Sequence, residues 1–355
     1  MKFSIPLAIN MVVLLSIVPL SGWAEDSTGC GASAPRSGTY VMQHDGKDRI
    51  YRLHVPKNYH KDSAAPLAII FHGWGGDENE FLGKGAVRSL ADKRGYILVA
   101  PRGLGAGEPD NNNNSWTFSG SDTGVGPGPD FLPICDDSIT PDYSYNSCNS
   151  LGIAENSCSW TQCQSDDVAF AIALVQEIEE QLCVDADRIF ATGGSNGGMF
   201  TWELGQNPAS ATTFRAIAPL IGLPHRGYDY PQGKTNEDGS YRDMPVLVIT
   251  GVRDTTVPPG EWEDEQFTTT SNGNDRYYYT GATAITQMWA DAHGCDIDTP
   301  AEAFDDGNRK ADCRTYCTDD PGWPRVLDCR TNTSHTYNLS WSWKLILNFF
   351  DAHSQ

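Results

Sequence analysis

Short, nearly unbroken apolar runs alternate along this chain with stretches whose apolar residues recur every three or four positions. Leu67-Ala68-Ile69-Ile70-Phe71 and Tyr96-Ile97-Leu98-Val99-Ala100 are of the first kind and predict strands buried on both faces of a sheet. Comparable runs at 188–191, 216–221 and 245–250, and a less clear one at 325–327, predict further strands. In the second kind, Val168, Ala171, Ile172, Val175, Ile178 and Leu182 trace one helical face, with Ser165 or Asp166 placed to cap its start. Other helices are expected near 80–94, directly after Ser195, ending at His293, and over 340–352. Strands alternating with helices predict an α/β protein whose central sheet is mostly parallel and flanked by helices.

The periodicity fails between residues 103 and 164. This stretch carries an Asn run from Asn111 to Asn114, many Gly and Pro residues, and Cys135, Cys148, Cys158 and Cys163. About sixty residues without a period are too many for an ordinary connection, and a disulfide-pinned insertion explains them. Placed after a strand end, such an insertion would lie over a site. With no internal repeat and no linker to a second module, residues 25–355 read as one domain.

Lys2, an apolar run from Ile5 to Leu20, and Ser21-Gly22-Trp23-Ala24 have the layout of a secretory signal, residues 1–24, cut after Ala24. An exported chain meets an oxidising compartment, so its ten cysteines are expected to pair. Cys158 with Cys163 is a local candidate, and Cys295 is expected to join the later cluster of Cys313, Cys317 and Cys329. Cys313 and Cys317 are close enough to raise a metal site, but no His-rich spacing accompanies them, and no metal or cofactor is expected. The 46 acidic against 25 basic residues set the formal charge at −21. A chain so charged is repelled by phosphate backbones and anionic lipid, which excludes nucleic acid and, once the signal is removed, the membrane as partners.

Candidate chemistry centres on Gly193-Gly194-Ser195-Asn196-Gly197-Gly198, which follows a predicted strand and leads into a predicted helix. Gly-x-Ser-x-Gly in a strand–turn–helix context is the nucleophile elbow: small neighbours let a tight turn project the serine hydroxyl from the sheet edge. His72-Gly73-Trp74-Gly75-Gly76 begins at the end of another strand, where a backbone N–H would complete an oxyanion hole. The donors are assigned to the amides of Trp74 and Asn196, with Gly73 as the substitute, and His72 to supporting the loop. Asp254 stands at the carboxyl end of the run 245–250 and is assigned as the orienting acid. Among eight histidines, His335 alone falls between the last strand and the last helix, which makes it the base. The order Ser195, Asp254, His335 is that of the α/β-hydrolase fold. Trp116, Tyr337 and His225 are candidates to line an aromatic acyl or sugar pocket.

Several segments carry a family resemblance. Gly29-Cys30-Gly31, Ser37-Gly38-Thr39-Tyr40 and the His72–Gly76 loop resemble secreted feruloyl esterases of carbohydrate esterase family one. Asp166-Asp167-Val168-Ala169-Phe170, Leu182-Cys183-Val184-Asp185 and the stretch from Ala191 to Met199 are equally similar to polyhydroxybutyrate depolymerases. The resemblance implies a metal-independent serine carboxylesterase acting through an acyl-enzyme on small-molecule or polymeric esters, with plant-wall esters ahead of polyesters because no appended polymer-binding domain is visible. A sugar-directed acyltransferase and a catalytically silent binding protein are the competing readings. One departure stands out: such relatives often carry Gly-Gly-His-x-Trp around the base, whereas this chain has Thr333-Ser334-His335-Thr336-Tyr337.

Overall fold

The structure, a computed structural model, describes residues 27–83, 85–105, 114–119, 166–210, 212–226, 244–262, 266–270, 277–307, 309–337 and 339–354. Its strands are β1 (Gly38–His44), β2 (Lys47–His54), β3 (Ala65–Phe71), β4 (Ile97–Pro101), β5 (Leu104–Gly105), β6 (Asn114–Ser115) and β7 (Val184–Gly194). They continue with β8 (Ala216–Leu220), β9 (Val246–Gly251), β10 (Phe267–Thr269), β11 (Tyr278–Thr280), β12 (Glu302–Phe304), β13 (Ala311–Thr315) and β14 (Val326–Thr331). The helices are α1 (Gly85–Arg94), α2 (Asp167–Gln181), α3 (Asn196–Gln206), α4 (Ala282–Ala292) and α5 (Ser342–Ala352).

Ten strands form one sheet in the order β1-β2-β4-β3-β7-β8-β9-β14-β13-β12. The strands from β4 to β14 in that order run parallel, and the hairpins β1–β2 and β12–β13 close the two sides with antiparallel pairing. Residues of β3, β4 and β9 are buried throughout, as continuous apolar runs require when helices cover both faces, and β14 is buried too, with Arg330 paired to Asp328 at 2.9 Å. Side chains alternate between the faces: Leu67, Ile69 and Phe71 join the core under α2, α3 and α4, while Ala68 and Ile70 join the core under α1 and α5. This is the α/β-hydrolase architecture expected from the pattern.

Helix α2 starts where its candidate cap predicts, with Asp166 Oδ1 accepting from the Ala169 amide at 2.9 Å. Immediately inside it, buried Asp167 takes Arg49 of β2 at 2.6 Å and the Thr117 amide at 2.7 Å. That fixes the chain leaving β6 to the helix bundle. Three disulfides are described: Cys30–Cys183, Cys295–Cys317 and Cys313–Cys329, the last bridging directly opposed residues of β13 and β14. Cys295 thus joins the later cluster. The proposed Cys158–Cys163 pair, Cys135, Cys148 and residues 1–24 lie outside the described residues, as does most of the 103–164 segment. At its described start and at 114–115, β5 pairs with β6. No helix among the described residues is long and apolar enough to cross a membrane, and they contain no cluster of His, Cys, Asp or Glu able to hold a metal.

Because β3, β7, β9 and β14 run parallel, their carboxyl ends meet along one edge: Phe71 lies opposite Gly193, and Gly251 opposite Thr331. In open α/β sheets this edge is where ligands bind.

Candidate active site

Strand β7 runs straight into Ser195, whose φ of 54° and ψ of −118° are rare for a residue with a side chain. Two backbone bonds hold the turn. The Ser195 amide donates to Leu220 O at 2.9 Å, and its carbonyl accepts from Met199 N at 2.9 Å to start α3. The glycines explain why the turn can close. A Cβ on Gly193 would stand 2.5 Å from Gly197 O, and one on Gly197 would run into the carbonyl oxygens of Phe71 and His72.

His335 reaches Ser195 from the loop after β14. Its Nε2 is 2.8 Å from Ser195 Oγ and its Nδ1 is 2.7 Å from Asp254 Oδ2. The carboxylate at Asp254 can only accept, so Nδ1 carries the proton and Nε2 is left to accept from the serine hydroxyl. The Asp254 side chain is fully buried, and its Oδ1 accepts from the amides of Thr256 at 2.8 Å and Val257 at 3.0 Å. Backbone bonds from Val252 N to Thr331 O and from Arg253 N to Thr333 O lace the Asp254 loop to the His335 loop. Gly251 permits this approach, since a Cβ there would lie 2.6 Å from Thr333 O. Sequence reasoning passed over Gly251; its signal was a lone glycine at a strand end facing the predicted acid.

On the other side of Ser195 lies the His72–Gly76 loop. Gly73 N donates to Glu80 Oε2 at 2.8 Å, Gly75 N to Asn114 O at 2.8 Å and Gly76 N to Gly73 O at 3.0 Å. Only the Trp74 amide in Gly73–Gly76 has no acceptor among the described residues, so Gly73 is removed as the substitute donor. The Asn196 amide opens α3 and has no acceptor within the helix. His72 is buried and bridges the loop to the next strand connection, with Nδ1 on Gly73 O at 2.6 Å and Nε2 accepting from Gly103 N at 2.8 Å. Burial lowers its pKa to about 4, so the ring is neutral, which is the state that can accept from Gly103.

Of the three residues expected to line a pocket, Trp116 and His225 are buried and Tyr337 lies partly exposed beside His335. Trp116 has no exposed surface; its ring stacks on Phe200 and its indole N–H donates to His72 O at 2.9 Å. It is a core residue beneath the His72–Gly76 loop because the chain after β6 turns inward, where Trp116 N meets Asn196 Oδ1 at 2.9 Å. His225 is likewise buried, among the rings of Phe118, Tyr277 and Tyr279. Tyr337 is half-buried beside His335, and its hydroxyl donates to Glu80 Oε1 at 2.9 Å. Trp74 is an exposed aromatic at this edge, with 51% of its surface free.

No family model matches the chain. It is similar to a protein named probable feruloyl esterase C from Aspergillus flavus, at 25% identity over 317 residues that span 85% of this chain and 92% of the relative. Feruloyl esterase C of Emericella nidulans is 29% identical over 170 residues, 46% of this chain and 56% of that protein. Among solved structures, the acetyl xylan esterase from Aspergillus awamori superposes with a TM-score of 0.55 over 88% of this chain and 99% of its own, at 13% identity, a likeness of fold. With this likeness to esterases along nearly its whole length, on this fold, the chain is a carboxylic ester hydrolase.

Proposed function

We propose that Ser195, His335 and Asp254 are the nucleophile, base and orienting acid of a secreted serine esterase, with the amides of Trp74 and Asn196 as its oxyanion hole. The observation that carries this reading is the continuous hydrogen-bonded path from Ser195 Oγ through both nitrogens of His335 to Asp254, at 2.8 and 2.7 Å. His335 Nε2 takes the serine proton as Oγ bonds to the ester carbonyl carbon, and the carbonyl electron pair moves to an oxyanion between the two amides. Collapse breaks the bond to the alcohol oxygen, which leaves with the proton from Nε2. Water repeats the cycle on the acyl-serine, releasing the acid. Asp254 keeps the proton on Nδ1 throughout and stabilises the imidazolium.

The substrate class is proposed as feruloyl or related plant-wall esters, small or polymeric, on the relatives' names and the exposed Trp74 indole at the site. Export is proposed with it, in keeping with three disulfides. Fluorophosphonate should label Ser195, and Ser195→Ala should lower kcat by at least about 10⁴-fold. Methyl ferulate should be hydrolysed ahead of a short aliphatic ester and of hydroxybutyrate oligomers. Preference for the oligomers would move the substrate to polyesters; absence of label in folded protein would remove the enzyme mechanism.

A further inference from the structure

We infer that Glu80 and Tyr337 form a positioning pair that sets the oxyanion loop against the catalytic base, a deepening that rests on the proposed roles of Trp74 and His335. Glu80 bridges two elements with its two oxygens. Oε2 accepts from Gly73 N at 2.8 Å, and Oε1 accepts from the Tyr337 hydroxyl at 2.9 Å. Tyr337 lies two residues beyond His335, so one carboxylate joins the residue before the oxyanion donor to the loop that carries the base.

Tyr337 is held at every point along this bridge. Its ring stands edge-on to His335, at 80° with centroids 5.8 Å apart, and packs against Phe81 at 6.0 Å. The opposite contacts are with backbone. A Cβ on Gly194 would collide with the Tyr337 ring, and one on Gly73 with its hydroxyl. A single side chain thus touches the base, the residue before the nucleophile, and the residue before the oxyanion donor. Glu80 sits equally close, since a Cβ on Gly76 would lie 2.5 Å from its Oε2.

The bridge also selects the donor. By taking the Gly73 amide, Glu80 leaves the Trp74 amide as the unclaimed one in the loop. The bond polarity is stable as well: burial and then the neighbouring Glu80 raise the Tyr337 pKa well above the usual phenol range, so the hydroxyl remains a donor at any working pH.

Positioning predicts a rate effect without a binding effect. A donor displaced by about 1 Å costs up to about 10²-fold in rate. Glu80→Ala is expected to lower kcat on methyl ferulate by about 10- to 100-fold with KM within about twofold, and Tyr337→Phe by about 3- to 10-fold. Glu80→Gln, which keeps an acceptor for Gly73, should restore most of the rate. An arylboronic acid, which forms a tetrahedral adduct on Ser195, should bind more weakly in step with kcat, while inhibition by ferulate stays constant. The double variant should be no slower than Glu80→Ala alone. Fluorophosphonate labelling of the wild type reports separately on the catalytic reading. With labelling intact, the pair is refuted by Glu80→Ala keeping its kcat within twofold, by losses confined to KM, or by multiplicative losses in the double variant. Tyr337→Phe removes one oxygen and tests the pair even if Glu80→Ala fails to fold.

Discussion

Asp254→Asn alters the hydrogen-bonding sense of one atom with almost no change in volume, and the structure dictates how the new amide must turn. In one orientation the Asn oxygen keeps the amides of Thr256 and Val257, and its NH₂ faces His335 Nδ1. His335 can then accept at Nδ1 only by carrying its proton on Nε2. That tautomer donates to Ser195 Oγ instead of accepting from it, and the base is lost. In the other orientation the NH₂ faces two backbone N–H donors at a side chain with no solvent contact. Each unsatisfied buried donor costs about 1–3 kcal/mol, so the first orientation is preferred. The expected loss in kcat is about 10⁴-fold, or about 5 kcal/mol of barrier. KM and thermal midpoint should change little, because both backbone bonds survive. The assay is kcat and KM on methyl ferulate beside a melting curve for each protein. A folded variant retaining more than about a thirtieth of the wild-type kcat would refute the tautomer argument.

Two further consequences concern the layer under the His72–Gly76 loop. In the unfolded chain His72 takes up a proton below about pH 6.5, but in the fold it does so only near 4. Its stabilising effect is therefore complete above pH 6.5 and is lost as pH falls towards 4, by at most about 3 kcal/mol. Urea unfolding from pH 8 to 4 should show a flatter acid limb in His72→Asn than in wild type, and equal slopes would refute the assignment. Trp116→Phe should leave the His72 carbonyl without its indole donor and a void beside Phe71 and Phe200, costing about 2–3 kcal/mol. KM for methyl ferulate should not move; a tenfold rise at wild-type stability would return Trp116 to the substrate wall.

Parallel strands covered on both faces leave unbroken apolar runs, so β3, β4, β8 and β9 were legible to within a residue or two. Chain order then placed Ser195, Asp254 and His335 at strand ends that the topology brings to one edge. The edge hairpins were passed over for the converse reason. Tyr40 and Met42 of β1 are only partly buried, and β12 has three residues with no fully buried position, so neither leaves a run. Aromatics within the aperiodic stretch carried no sign of which way they face. Trp116 turns inward because its amide and indole both find acceptors there, Asn196 Oδ1 and His72 O, far from it in the chain.

The same distance in sequence hid the Glu80–Tyr337 bridge. Glu80 read as one acidic residue among 46, in a predicted helix that in fact begins at Gly85. The turn before that helix is what carries its carboxylate under Gly73, with Glu80 N bonded to Asp77 O at 3.1 Å. Tyr337 was visible as a departure at the second residue after His335, but nothing in the sequence said which element it meets. In the structure its hydroxyl meets Glu80 and its ring lies against Gly194, beside the His72–Gly76 loop. A residue two positions from His335 can thus reach the opposite side of Ser195, because β14 and β3 deliver their loops to the same edge and one phenol is long enough to join them through a carboxylate.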